Sequence, residues 1–201
     1  VGLVSLLQAM KSAGCNKLVF SSSCTVYGEP EQVPVKESTP TRPAASPYGA
    51  TKQMGEVILK DNTWLEVQCL RYFNPVGAHE SSLIGELPLG VPNNLIPYLT
   101  QTVAGIRSQL TVHGGDYNTP DGTCIRDYIH VMDLAEAHVS AISRLFNDTT
   151  KFAVEKGDPS EGNFEVFNIG TGKGYSVLEV ISAFESATGE KVPHCIGPRR
   201  N

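Results

Sequence analysis

Tyr48 and Lys52 stand four residues apart in the stretch Tyr48-Gly49-Ala50-Thr51-Lys52, a spacing that puts two side chains on one face of a helix. A phenol is a poor base at neutral pH, and an ammonium held beside it favours the phenolate. Upstream, the run Lys17-Leu18-Val19-Phe20 ends in three serines, Ser21-Ser22-Ser23. Such a short apolar run predicts a buried strand, and ligands of open α/β sheets sit at the carboxyl ends of strands. A hydroxyl there, Ser23, can hold an oxygen that gains or loses a proton. The three residue types suit proton transfer to or from an alcohol that is becoming a ketone.

The elements that must position them follow from periodicity and punctuation. Residues 2–13 read as a helix stopped by Gly14, residues 17–22 as a strand and 28–47 as a Pro-, Glu-, Ser- and Thr-rich loop. Ser46-Pro47 supplies a turn before a helix over 48–60. Residues 65–73 read as a strand that ends at Asn74-Pro75, where proline stops the ladder. A helix is expected over 94–106 with Asn93 or Asn94 as its cap. Further along come a short strand at 110–113, an extended segment at 127–131, a helix at 132–146 and a polar surface insertion at 147–163. A strand at 165–169 closed by Gly170-Thr171-Gly172, a helix at 176–187 and a strand at 191–196 complete the chain. Strands alternating with helices predict an α/β fold with parallel pairing.

Composition narrows the function. At 201 residues and a formal charge of −5, the chain suits neither a nucleic-acid nor an anionic membrane surface. No apolar run approaches the ~18 residues of a membrane span. The five cysteines (Cys15, Cys24, Cys69, Cys124, Cys195) are scattered without a C-x-x-C pair, which speaks against a metal site or disulfide framework and for a reducing, cytoplasmic setting. The chain opens on Val1 within a helical pattern and is expected to be an internal piece of a longer protein.

Six motifs then occur in order: Val19-Phe20-Ser21-Ser22-Ser23-Cys24-Thr25-Val26-Tyr27-Gly28, Ser46-Pro47-Tyr48-Gly49-Ala50-Thr51-Lys52, Leu70-Arg71-Tyr72-Phe73-Asn74-Pro75-Val76-Gly77-Ala78, Pro92-Asn93-Asn94-Leu95-Ile96-Pro97-Tyr98, Asp121-Gly122-Thr123-Cys124-Ile125-Arg126-Asp127-Tyr128-Ile129-His130 and Asn168-Ile169-Gly170-Thr171-Gly172. In this series the sequence resembles the nucleotide-sugar epimerases of the extended short-chain dehydrogenase/reductase family. The resemblance implies a partial Rossmann-like, doubly wound parallel sheet with a smaller C-terminal substrate-binding region. Residues 1–75 would be the second half of the NAD-binding Rossmann-like domain. Residues 76–201 would be mainly the UDP-sugar-binding region, with segments at about 121–140 and 164–173 returning to pack on the Rossmann-like domain.

The implied reaction interconverts UDP-galactose and UDP-glucose by transient oxidation at sugar C4 with NAD as a catalytic cofactor, and the family commonly forms homodimers. By motif, Tyr48 matches the base, Lys52 its electrostatic partner and a donor to the nicotinamide ribose, and Ser23 the hydroxyl on sugar O4. Thr25 is similar to a second polar wall of that pocket, and Tyr72 and Phe73 to residues packing near the nicotinamide. Asn74 matches a sugar-nucleotide contact. Asn94 and Leu95 match a helix start that receives the diphosphate, and Arg126 and Arg200 the two arginines that clamp it. Thr111, Val112 and His113 match the segment flanking uracil, although the family usually has an aromatic ring such as Phe in place of His113.

Other departures matter. Dehydratases of the family carry an Asp-Glu pair where this chain has Cys24 and Thr25, which argues against dehydration. Uronate epimerisation and decarboxylation fit the motifs less well. The glycine-rich phosphate-binding turn and the ribose-binding acid are expected before Val1, and the acid following the second clamping arginine beyond Asn201. The 201 residues alone are therefore expected to be inactive, a binding or interaction piece. Read singly, Arg126-Asp127 is a surface ion pair, Asn93-Asn94 a helix cap, and His130 and His138 satisfied structural histidines.

Overall fold

Leu3, Leu7 and Met10 recur at helical spacing, and helix α1 (Gly2–Ser12) buries Leu7 and Met10. The chain reverses at Gly14, whose φ of +68° suits glycine, and enters strand β1 (Lys17–Ser23). A 3₁₀ turn (Cys24–Tyr27) follows directly, capped by the Ser23 side chain. Helix α2 (Pro47–Asp61) has Ser46 as its N-cap, accepting from the Gly49 N–H at 3.1 Å, with Pro47 in the first turn, a start that suits both residues. Strand β2 (Glu66–Tyr72) comes next.

These elements are described within a computed structural model covering residues 2–147 and 163–200. All but the end residues of the expected 147–163 insertion, and with it most of the Asn147-Asp148-Thr149 glycosylation acceptor pattern, lie outside the described residues. The chain divides into two units, Val1–Phe73 with Asp133–Ile169, and Asn74–Met132 with Gly170–Asn201.

In the first unit β1, β2 and β6 (Asn163–Ile169) form an all-parallel sheet in the order β1-β2-β6. This is the parallel α/β arrangement expected from the alternation of elements, and it agrees with the Rossmann-like sheet that the resemblance implies. Central β2 is the buried strand, whereas β1 is half-buried along Lys17–Phe20 because it lies at the sheet edge. Register sets the chemistry of the carboxyl end: Ser21 lies beside Leu70, Ser22 beside Arg71 and Ser23 beside Tyr72. Leu7, Met10, Leu59, Leu65 and Val67 form the core, with Phe20, Ile58 and Trp64 packed against it. Helix α4 (Val131–Asn147) supplies Ala141 and Leu145 as buried residues.

The second unit holds two small sheets. β3 (Asn74–Val76), β5 (Ile125–His130) and β7 (Gly174–Ser176) pair in that order, and β4 (Leu110–His113) pairs with β8 (His194–Gly197). β2 ends at Tyr72, ahead of Asn74-Pro75 as expected, but Pro75 itself lies in a new strand. It sits inside β3, an edge strand of the new sheet, where a missing N–H is tolerated. The β5–β7 pair is antiparallel, the exception to otherwise parallel pairing. Helix α3 spans Leu95–Val103, ending before residue 106, and α5 spans Val177–Thr188 with a Ser176/Glu179 capping box, two orphan donors satisfied reciprocally. Leu99, Leu110, Val112, Ile181 and Val192 form this unit's core.

Gly55 sets how closely α2 approaches β1. A Cβ added there would lie 2.7 Å from the Phe20 ring, and Lys52 rests over that same ring. Gly55→Ala is expected to lower stability by about 1–3 kcal/mol through overpacking, with part of the loss recovered by adding Phe20→Leu. Urea unfolding of the full-length protein and its two variants checks this.

Candidate active site

Ser23 is the last residue of β1 and is buried, at 7% exposure. Its hydroxyl oxygen accepts from the Thr25 N–H at 3.2 Å and the Thr25 hydroxyl at 3.0 Å. Both bonds use Ser23 as an acceptor, so its own O–H remains a donor. Gly49 brings the first turn of α2 against this segment: a Cβ there would stand 3.2 Å from the Thr25 carbonyl oxygen. Tyr48, just before it, is 55% exposed.

Lys52 lies one turn on. Its ammonium donates to the Ser21 carbonyl at 2.8 Å and sits 5.5 Å from the Tyr48 ring centroid and 5.6 Å from that of Phe20. An ammonium over an aromatic face is attracted by the ring quadrupole. The structure therefore brings Ser23, Thr25, Tyr48 and Lys52 to the carboxyl end of β1. Tyr72 and Phe73 reach the same end along β2 through the parallel register.

Tyr72 has a partner on α4. The His138 Nδ1–H donates to the Leu134 carbonyl at 2.8 Å, and its Nε2 hydrogen-bonds with the Tyr72 hydroxyl at 3.1 Å. Burial raises the Tyr72 phenol above its ordinary range, against a hydrogen bond with Ser21 and with the help of Tyr48. His138 is a satisfied histidine, as expected, but the group it satisfies is a site candidate.

Beneath the site lies a cluster that sequence reasoning missed. Glu56, another turn along α2 from Lys52, is buried with Arg71, Ser22 and Cys69. Its Oε1 accepts from Ser22 Oγ at 2.5 Å, Arg71 Nε at 2.9 Å and Cys69 Sγ at 3.3 Å, and its Oε2 from Arg71 Nη2 at 2.5 Å. The Arg71 guanidinium lies 4.8 Å from the Tyr27 ring centroid, and the Tyr27 hydroxyl donates to Asn168 Oδ1 at 2.6 Å. Following the four-residue stripe one step past Lys52 would have found Glu56. Burial and then the Glu56 charge push the Cys69 thiol far above its ordinary range, which makes it an inert core group.

The remaining candidates belong to the second unit. Asn74 donates its side-chain amide to the Asp127 carbonyl at 2.9 Å. Asn94 occupies the N-cap of α3 without a side-chain capping bond; its amide instead donates to Glu86 at 3.4 Å. The Arg200 guanidinium donates to the Asn93 carbonyl at 3.2 Å, so Arg200, Asn94 and Leu95 are brought together. Arg126 is exposed on β5 and donates to the Ile125 carbonyl at 2.7 Å. Val112 is 1% exposed and belongs to the core. Only its backbone can face a ligand, while Thr111 and His113 are half-buried on the alternate face of β4.

Arg126 and Asp127 do not form the expected surface ion pair. Both Asp127 oxygens are taken by the 170–173 turn: Oδ1 accepts from Thr171 N at 2.9 Å and Thr171 Oγ1 at 2.7 Å, and Oδ2 from Gly172 N at 2.8 Å. That turn leads into β7 and then α5, the structural role expected for the Gly170-Thr171-Gly172 stretch.

A parallel α/β sheet with a Tyr-x-x-x-Lys helix and a serine hydroxyl at one strand end defines the class of extended short-chain dehydrogenases/reductases. Residues 1–170 match the NAD dependent epimerase/dehydratase family, and the chain belongs to that family. It is 51% identical over 205 residues to UDP-glucose 4-epimerase 2 of Arabidopsis thaliana, covering 100% of this chain and 55% of the relative. It is 50% identical over 204 residues to UDP-glucose 4-epimerase of Neisseria gonorrhoeae, covering 99% of this chain and 56% of the relative. The crystal structure of UDP-glucose 4-epimerase from Bifidobacterium longum in complex with NAD+ and UDP superposes with a TM-score of 0.87 at 46% identity, covering 98% of this chain and 56% of that one. The chain thus spans about half the length of the curated relatives it matches.

Glu56 carries a pH signature. Burial alone raises its carboxyl, but hydrogen bonds from Arg71 and Ser22 and the Arg71 charge outweigh it and hold the carboxyl below its ordinary value. A carboxyl whose folded pKa lies below its unfolded one stabilises the fold above the unfolded value and loses that contribution as pH falls through the folded one. The thermal midpoint of the full-length protein is expected to exceed that of Glu56→Gln at neutral pH, with the gap closing as pH drops below the ordinary glutamate range. A gap independent of pH would contradict this.

Proposed function

We propose that the protein interconverts UDP-galactose and UDP-glucose by reversible oxidation at the sugar C4, in the cytoplasm. The observation that carries the proposal is the Lys52 ammonium held between the Tyr48 ring and the Ser21 carbonyl, at the strand end where Ser23 stands. Tyr48 accepts the proton of the sugar 4-hydroxyl as base, and Lys52 stabilises the phenolate that receives it. The Ser23 hydroxyl donates to the sugar O4, and Thr25 orients that hydroxyl through the bond it already makes to Ser23 Oγ. The keto sugar formed by oxidation is then reduced on its other face, and Tyr48 returns the proton.

The residues present fit a nicotinamide dinucleotide. Lys52 spends one donor on Ser21 and keeps two for a ribose hydroxyl pair, while half-buried Tyr72 and Phe73 offer flat apolar surface to an aromatic ring. NAD, when bound, supplies reversible hydride transfer at C4 with no net redox change. The relative from B. longum was solved with NAD+ and UDP, in support of both ligands.

In the second unit we assign the UDP portion to Asn74, Asn94, Leu95, Thr111, His113, Arg126, Arg200 and the backbone of Val112. Arg200 beside the N-terminus of α3 pairs a guanidinium fork with unpaired helix N–H groups, both suited to a diphosphate. We further assign the protein to a homodimer: Val4 and Leu6 of α1 and Met54 and Val57 of α2 are exposed apolar residues, the material of an interaction surface. Light scattering on the full-length protein tests that assignment.

Incubating the full-length protein with UDP-galactose and NAD and assaying UDP-glucose tests the activity; no turnover in either direction would reject it. Tyr48→Phe is expected to lower kcat by roughly 10²–10⁴-fold, the range of a lost acid–base group, while UDP-sugar affinity changes little. A matching loss in both would reassign Tyr48 to a structural role.

A further inference from the structure

We infer that Glu56 is a positioning residue for the proton transfer assigned to Tyr48, acting by fixing the rotation of α2 against β1 and β2. The inference rests on the proposed roles of Tyr48, Lys52 and Ser23 and adds a residue that touches neither substrate nor cofactor in that reading.

Tyr48, Lys52 and Glu56 follow one another at four-residue steps on α2, so they share one helical face. Opposite them run three consecutive serines of β1. Lys52 is tied to the Ser21 carbonyl at 2.8 Å, Glu56 to the Ser22 hydroxyl at 2.5 Å, and Ser23 is the site hydroxyl itself. Glu56 is tied a second time, by Arg71 Nε at 2.9 Å and Nη2 at 2.5 Å. Arg71 immediately precedes Tyr72 and Phe73 on β2. One carboxylate therefore fixes α2 to the residue before the Ser23 hydroxyl and to the residue before the candidate nicotinamide contacts.

The geometry is sensitive to rotation. A side-chain tip about 6 Å from a helix axis moves about 1 Å for every 10° of rotation. A displacement of about 1 Å from reacting geometry costs on the order of 10²-fold in rate. Lys52 alone is a weak anchor, a flexible chain with a single bond to a carbonyl. The bidentate fork between Glu56 and Arg71 is directional. Stability does not by itself account for the pair, because apolar residues of similar volume commonly replace a buried ion pair without loss. Such residues fill the space but do not reproduce the directional tie, and that difference makes the inference testable.

The experiment compares wild type, Glu56→Leu/Arg71→Met, Ser22→Ala and Tyr48→Phe in the full-length protein, measuring thermal midpoint, kcat and KM for UDP-galactose. The double variant is expected to stay folded, with kcat lowered about 10- to 100-fold and KM little changed. A folded double variant with kcat within about threefold of wild type overturns the inference. Should the double variant fail to fold, Ser22→Ala decides: it removes only the hydroxyl tie and keeps the ion pair. A several-fold fall in kcat at an unchanged thermal midpoint supports positioning, and an unchanged kcat overturns it. Tyr48→Phe separates the two levels. If it retains full turnover, the assignment of the base fails. If it loses turnover while the other variants keep theirs, only the role of Glu56 fails.

Discussion

The Glu56 carboxylate is the point at which α2, β1 and β2 are tied together, and the placement of the site residues depends on it. A buried carboxylate is costly unless its oxygens are filled. Here Oε1 receives three donors and Oε2 one, from three residues on two adjacent strands. Removing one partner of such a pair costs about 3–5 kcal/mol, because the other charge is left buried and unmatched. The solvent-facing pairs Lys191–Glu185 and Arg199–Asp116 belong to a different regime, in which water screens the attraction.

Parallel register then does the rest. With Ser22 beside Arg71 and Ser23 beside Tyr72, the strand ends are aligned before any helix docks. Gly55 and Gly49 allow α2 to lie close, the first against the Phe20 ring and the second against Thr25. A helix held away by a single Cβ at either point would leave the Tyr48 phenol farther from the Ser23 hydroxyl. The serine's preference for a local bond to Thr25, two residues on, closes the 3₁₀ turn at the strand end, as short hydroxyl side chains do.

Much of this was legible in the residues. Tyr48, Lys52 and Ser23 were singled out by type and spacing and do meet at one strand end, the alternation of apolar runs announces a parallel α/β sheet, and Ser46-Pro47 marks where α2 starts. What escaped was pairing at a distance. The run Leu65–Phe73 reads as one strand, yet Gln68 and Arg71 within it are among its most buried residues, answered by Glu165 and Glu56. Polar residues inside a strand are intelligible only once their partners on other elements are known. Asn94 shows the converse. Its type and position predict a side-chain cap, but the amide turns to Glu86 instead, a contact that local sequence does not contain. Short β7 was missed because three residues ending in a helix cap carry no periodicity.

A second carboxylate, Asp127, fixes neighbouring backbone where Glu56 ties side chains. Arg126 and Asp127 are consecutive on β5, where successive side chains point to opposite faces of the sheet. Asp127 spends both oxygens on Thr171 and Gly172, locking the turn that feeds β7 back against β5. Among the described residues, Arg126 forms no ion pair and its guanidinium donates only to the adjacent Ile125 carbonyl. Its remaining N–H groups therefore stay in solvent, uncompensated and on a strand whose position the turn has fixed. An exposed guanidinium anchored at one nitrogen has its remaining donors pre-oriented at little further entropic cost. Engaging Asp127 with the turn thus orders β7 against β5 and leaves the Arg126 side chain exposed beside it.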